Sequence, residues 1–199
     1  MPTPLILASG SEIRATLLAN AGLEFEVMPA RVDESAIRAG LEAENAAPRD
    51  VADTLAEYKA RKVGGKRPDA LVLGCDQVAA LKGEILTKPG SPDEARAQLA
   101  RLSGQTHQLL SAAVIYHDGE PIWRHVGVVR LTMHGLSERF IDDYVSRNWD
   151  SIRDAVGAYK LEEEGVRLFS RIDGAYFNVL GLPLTELLSY LVLRGELEI

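Results

Sequence analysis

The residues best suited to chemistry begin near the amino terminus. In Leu7-Ala8-Ser9-Gly10-Ser11-Glu12-Ile13-Arg14 an apolar run opens onto a helix start through small residues. Such a turn leaves backbone N–H groups unpaired where the helix begins and can cradle an anion. Ser9 and Ser11 add hydroxyl donors, and Arg14, about one turn into the helix, carries a guanidinium whose fork matches a phosphate. The same residues also read as a plain serine cap with a solvated arginine. Lys59 continues the spacing of Val51 and Leu55 along an apolar helix face. Its ammonium must therefore snorkel to water or meet an anion inside the fold. Lys88 precedes Pro89, which biases it to an extended conformation at the end of a hairpin. Arg14, Lys59 and Lys88 would suit a phosphate chain if folding gathers them, and would otherwise be separate solvated cations.

Carboxylates supply the second half of the chemistry. Asp76 follows Ala70-Leu71-Val72-Leu73-Gly74, an apolar run that reads as a buried strand ending near Asp76 and Gln77. An acid at the carboxyl end of such a strand stands where α/β folds place their ligands, ready to hold a divalent metal or take a proton from water. Glu34, in Val32-Asp33-Glu34, is a second carboxylate, although taken alone Asp33 and Glu34 read as an exposed acidic loop. Oxygen donors beside bound phosphate favour Mg2+ or Mn2+ over zinc. Cys75 reads as a small buried residue at the strand end rather than a nucleophile. Gly64-Gly65-Lys66-Arg67 lacks the spacing of a P-loop, and His107, His117, His125 and His134 are too dispersed for a local zinc motif.

The elements that would carry these residues alternate between strand and helix. Short strands are expected over 5–8 and 25–29, with a helix between them from Ser11 to the stop at Gly22. Residues 40–50 read as a loop, and Asp50 starts the helix that carries Lys59. A hairpin follows around Lys82-Gly83. Ser91-Pro92-Asp93-Glu94 combines a cap, a proline and first-turn acids, which predicts a helix. Two long strands over 106–116 and 122–132 should meet at Asp118-Gly119. Ser137 caps the next helix, a strand is expected over 166–172, Asp173-Gly174 turns the chain, and a helix over 183–194 closes it. The fold class is α/β with a mixed sheet.

With 199 residues, the prior is one domain or two closely joined lobes. The net charge of -7 and pI near 5.2 argue against wrapping a nucleic-acid polymer with a broad basic face. A single cysteine excludes an internal disulfide and a multi-thiolate metal site. There is no basic leader, and no apolar run approaches the roughly 18 residues of a membrane span, so the expectation is a cytoplasmic protein with no membrane partner. A homodimer would be unremarkable for a chain of this size.

Taken together, these segments resemble the Maf family of nucleotide pyrophosphatases, also described as septum formation inhibitors. The resemblance covers nearly the whole chain, as a single Maf-like domain over 1–199. It is carried by Leu-Ile-Leu-Ala-Ser-x-Ser-x-x-Arg at 5–14, Val-Asp-Glu at 32–34, Leu-Ala-x-x-Lys-Ala at 55–60, Gly-x-Asp-Gln-Val at 74–78, Lys88-Pro89 and Leu-Ser-Gly at 102–104. Asp-Ala-Val-Gly-Ala-Tyr at 154–159 and Ile-Asp-Gly-Ala-Tyr-Phe-Asn-Val-Leu-Gly-Leu-Pro at 172–183 complete it.

The resemblance implies an elongated mixed sheet flanked by helices, two lobes around a nucleotide cleft, and hydrolysis of a nucleoside triphosphate between its α and β phosphates. It implies a divalent cation, Mg2+ or Mn2+, held by Glu34 and Asp76. Asp76 falls on the family's proton acceptor, and Ser9, Arg14, Lys59 and Lys88 on its phosphate-facing positions, with Lys88 acting beside Asp76 in catalysis. Ser11-Glu12-Ile13-Arg14 departs from the family's usual Ser-Pro-Arg-Arg. Positions that discriminate substrates fall on Ile13, Gln77 and Glu162. Gln77 and Glu162 look like the branch acting on 7-methyl-GTP, which often has Trp where this chain has Ile13. The branch hydrolysing dTTP and UTP typically has Arg, Thr and Gln at the three positions. The expectation is therefore a purine-like or modified base. A dTTP/UTP pyrophosphatase and a nucleotide-binding regulator of cell division without turnover are the alternatives.

Overall fold

Three consecutive apolar residues, Leu5–Leu7, make the first strand, β1, and all three are buried. The computed structural model describes residues 3–198. The elements that follow are α1 (Glu12–Asn20), β2 (Glu26–Val27), α2 (Glu34–Ala43), α3 (Pro48–Gly64), β3 (Leu71–Leu81), β4 (Glu84–Leu86) and α4 (Pro92–Leu102). Then come β5 (Thr106–His117), β6 (Glu120–Met133), α5 (Glu138–Ile152), a 3-10 turn (Glu164–Leu168), β7 (Phe169–Asp173), α6 (Tyr176–Val179) and α7 (Leu184–Leu193).

The strands form a mixed sheet in the order β2-β1-β3-β5-β6-β7, with β4 added to β3. β1 lies parallel to both neighbours, with Leu5 opposite Leu71 and Leu7 opposite Leu73. β4 and β7 are antiparallel to β3 and β6. Both expected hairpin turns are present, with left-handed backbone at Lys82 and Gly83 and at Asp118 and Gly119, as two-residue turns between twisted strands require. The serine caps expected at Ser91 and Ser137 accept the backbone N–H of Glu94 and Phe140.

By its contacts the chain divides into two compact units. One comprises residues up to 77, 110–127 and 175 onward, and the other comprises 78–109 and 128–174. In the first, Leu7, Leu18, Leu71, Leu73, Ile115, Leu182 and Leu187 are almost wholly buried together. In the second, α4 packs on α5, and Leu99, Leu102, Ile141 and Val145 on these two helices are buried. A separate aromatic group holds His107, Tyr159 and Phe169.

Four sequence expectations are corrected. The strand expected to end near Asp76 runs on to Leu81, which places Asp76 in mid-strand. Gly74 and Asp76 are poor strand formers by composition, but each is accommodated by a contact described below. Asp33 and Glu34 do not lie in an acidic loop, and 40–50 is not all loop. Asp33 accepts the backbone N–H of Ala36 as the cap of α2, and Glu34 is the first residue of that helix. Ile37 and Leu41 alone are too sparse a stripe to announce the helix, and Gly40 lowers its propensity further. The expected strand over 166–172 begins only at Phe169. Arg147 and Asn148 hold the Glu164 carboxylate ahead of it and favour a 3-10 turn. The one-turn helix α6 was not anticipated at all.

Candidate active site

The centre of the site is built on β3, whose side chains alternate between two faces of the sheet. Val72, Gly74 and Asp76 face α3, whereas Leu71, Leu73, Cys75 and Gln77 face the opposite side. α3 starts at Pro48 and buries Val51, Ala52, Leu55, Ala56, Ala60 and Val63 as one stripe. Lys59 lies within that stripe and is 9% exposed. A lone ammonium there would be costly, and the structure resolves the choice between water and an internal anion in favour of the anion. Lys59 Nζ donates to Asp76 Oδ1 at 2.7 Å and pairs with Glu34 Oε1 at 2.8 Å.

The second oxygen of Asp76 is also engaged. Arg38, one turn beyond Glu34 on α2, places Nη2 3.3 Å from Asp76 Oδ2. Arg38 belongs to no motif and was not anticipated from the sequence; a charged residue on a mostly exposed helix leaves no pattern to read. Two carboxylates and two cations thus neutralise one another at the amino end of α2 and in mid-β3.

The Ser9 turn adjoins this group through the Cys75–Asp76 peptide. Arg14 donates from Nε to the carbonyl oxygen of Gly181 at 2.8 Å, and from Nη1 to Ser9 Oγ and to the carbonyl oxygen of Cys75, both at 3.2 Å. Ser9 Oγ also accepts the backbone N–H of Ser11. Ser11 stands at the cap position of α1, but its own side chain makes no capping bond. The guanidinium therefore ties the turn to β3 and to the 180–181 segment. Gly181 has φ +88, and a β-carbon there would stand 3.0 Å from Arg14 Nη2. Ile13 is half-buried against the core of this unit.

Gln77, on the other face, is fixed by three acceptors. Its Nε2 reaches Ser111 Oγ at 3.0 Å and the carbonyl oxygens of Asn178 and Val179 at 3.0 and 2.9 Å. Only the amide nitrogen can donate to two carbonyls, so the orientation of the side chain is determined. The Gln77 carbonyl oxygen is left as its one edge without a partner among the described residues. Ser111, which donates to the Asn178 carbonyl oxygen at 2.5 Å, was not anticipated either.

Cys75 is fully buried, and desolvation pushes its thiol up to about 11, which fits the structural reading and not a nucleophile. Lys88 and Glu162 belong to the second unit. Both are exposed, and neither side chain makes a hydrogen bond or ion pair among the described residues. The two glutamates after Glu162 are used structurally. Glu163 pairs with Lys160 and accepts from Ser151. Glu164 is held by Arg147, Asn148 and Arg167, and the bond from Arg147, followed by that from Asn148, pulls its carboxyl down to about 2.

For a metal, the available donors are the carboxylates of Glu34 and Asp76. No cluster of three or more His, Cys, Asp or Glu side chains is found among the described residues. Two hard oxygen donors fit Mg2+ or Mn2+, which commonly bind through one or two carboxylates with phosphate and water completing the shell. No helix is long and apolar enough to cross a membrane among the described residues.

Comparison with known proteins places relatives along almost the whole chain. The profile of the family described as Maf-like protein matches residues 4–193. A protein of Roseobacter denitrificans named nucleoside triphosphate pyrophosphatase is 64% identical over 197 residues, covering 99% of both chains. One of the same name from Ruegeria pomeroyi is 62% identical over 198 residues, covering 100% of both. A protein of Mesorhizobium japonicum named 7-methyl-GTP pyrophosphatase is 47% identical over 198 residues, again covering 100% of both. With the family profile spanning almost all of a chain whose Ser9 turn, Lys59 stripe and Asp76 strand fold as described, this protein belongs to the Maf-like family.

Proposed function

We propose that this chain is a hydrolase acting on an acid anhydride, cleaving the α–β phosphoanhydride of a nucleoside triphosphate to a monophosphate and pyrophosphate. The observation that carries the proposal is the buried Lys59 ammonium shared by Asp76 and Glu34, beside the Ser9 turn with its small residues and helix start. Asp76 takes the proton of the attacking water, and Lys59 holds that carboxylate in place. The Ser9 turn orients a phosphate with its backbone N–H groups, and Lys88 meets charge on the phosphate chain. Glu34 and Asp76 would hold a divalent cation, which when bound neutralises phosphate oxygens and so assists phosphoryl transfer.

The base is a purine-like one, with 7-methylguanine as the specific candidate. Gln77 offers only a carbonyl oxygen, and Glu162 offers a carboxylate whose neighbours Glu163 and Glu164 are already paired. Each is an acceptor, and an acceptor suits the N1–H and amino donors of a guanine edge. The relatives named 7-methyl-GTP pyrophosphatase support the same choice.

Pyrophosphate release with Mg2+ or Mn2+ should be measured across 7-methyl-GTP, GTP, ITP, dTTP, UTP and CTP, with Asp76→Asn as control. Turnover of a purine substrate that Asp76→Asn abolishes is expected. Preference for dTTP or UTP would overturn the base assignment, and nucleotide binding without any turnover would overturn the enzymatic reading.

A further inference from the structure

We infer that Arg38 is an exchangeable counter-ion. It occupies Asp76 Oδ2 while no nucleotide is bound and transfers to the phosphate chain of the substrate, releasing that oxygen for its work. The inference deepens the pyrophosphatase reading and rests on Asp76 being the acting carboxylate.

The starting point is that both oxygens of Asp76 are engaged, Oδ1 by Lys59 at 2.7 Å and Oδ2 by Arg38 at 3.3 Å. Each of those oxygens keeps a second lone-pair direction, but a cation held against it repels a divalent cation and crowds a water there, so release of one partner would open the carboxylate. Lys59 is poorly placed to leave. Its side chain is 11% exposed, it sits in the buried stripe of α3, and withdrawing it would take away the cation that Asp76 and Glu34 share. Arg38 is placed differently. Its side chain is 28% exposed, and α2 buries none of its residues. Its bond to Asp76 is a single contact at 3.3 Å rather than the paired fork that guanidinium and carboxylate form at their strongest.

Charge gives the exchange its direction. Asp76, Glu34, Lys59 and Arg38 sum to zero as they stand. A triphosphate brings several further negative charges and a geometry that the guanidinium fork fits. Moving Arg38 from carboxylate to phosphate answers the incoming charge and vacates Oδ2 in the same event. The vacated oxygen is then open to water or to a divalent cation. The resting contact in turn keeps Asp76 from binding free cations tightly when no nucleotide is present.

Arg38→Gln separates the two roles, and binding reads them without turnover. Calorimetry with inorganic tripolyphosphate should show affinity reduced roughly tenfold, as loss of one charge-assisted contact predicts. Calorimetry with Mn2+ alone should show tighter binding than in the wild type. Arg38→Lys should recover part of the tripolyphosphate affinity, and both variants should melt near the wild-type temperature because α2 is largely exposed. In steady-state assays Arg38→Gln should raise KM with little loss of kcat. Unchanged affinity for both tripolyphosphate and Mn2+ would overturn the exchange, as would a fall in kcat at constant KM. A wild type that binds tripolyphosphate in an Arg38-dependent way but releases no pyrophosphate would leave the exchange standing and overturn only the pyrophosphatase reading.

Discussion

The carbonyl oxygen of Ala56 stands 2.1 Å from the point that a β-carbon on Gly74 would occupy, and the amide nitrogen of Ala60 stands 2.6 Å from it. Strand β3 and helix α3 therefore meet backbone to backbone, which a side chain at 74 would forbid. Lys59 lies between those two alanines in sequence, and Asp76 lies two residues beyond Gly74 on the same face. The close approach is what lets the ammonium reach the carboxylate. Gly74→Ala should push α3 outward at a cost of about 1–3 kcal/mol, lowering the melting temperature and turnover together. An alanine variant that melts like the wild type would contradict the backbone contact.

Arg14 is expected to act first as a tie between segments. Arg14→Lys removes the fork that serves two carbonyl oxygens and the Ser9 hydroxyl, and an ammonium cannot reproduce its geometry. Stability should fall by roughly 1–3 kcal/mol, read in a denaturant melt. Unchanged stability combined with a large rise in KM would assign the guanidinium to the phosphate instead.

Lys88 presents the opposite case. Its exposed side chain supports nothing in the described structure, so Lys88→Ala should leave the melting temperature in place. If its ammonium meets developing phosphate charge, kcat/KM should drop by the equivalent of roughly 2–4 kcal/mol. An unchanged kcat/KM would remove Lys88 from the mechanism.

Acid should weaken the fold through His107. Burial pushes this imidazole down from 6.5 to about 4, where its Nε2 is 2.7 Å from the Tyr159 hydroxyl and its Nδ1 has no partner among the described residues. As pH falls below 6.5 the unfolded chain takes the proton before the folded one does. Stability is therefore complete above about 6.5 and declines through the interval down to about 4, by up to about 3 kcal/mol. His107→Gln should flatten that part of the profile in melts between pH 7.5 and 4.5. An identical slope in the variant would place the acid sensitivity elsewhere.

The sequence was most informative where one local rule decided the outcome. Lys59 was legible because a charged residue in an apolar stripe must find a partner, and it found two. The Asp118-Gly119 turn and the Ser91 and Ser137 caps were legible because backbone geometry restricts those positions to few residue types. The length of β3 was not, because Gly74 and Asp76 are excused by contacts from α3 and α2, which are distant in the chain. Helix α2 was hidden for a related reason: its few apolar residues do not announce it. Arg38, Ser111 and the Asn178 carbonyl were invisible in principle, since each matters through a partner distant in the chain.

Asp76 and Gln77 are consecutive residues that project to opposite sides of one strand. The carboxylate is committed to Lys59 and Arg38, and the amide to Ser111 and the 178–179 backbone, with no side-chain partner in common among the described residues. The two sets of side-chain contacts can therefore be revised one at a time. If the proposed roles hold, a family built on this strand can diversify recognition at Gln77 without reinventing the chemistry at Asp76. A library randomised at 77 and 111 would explore the first kind of change alone.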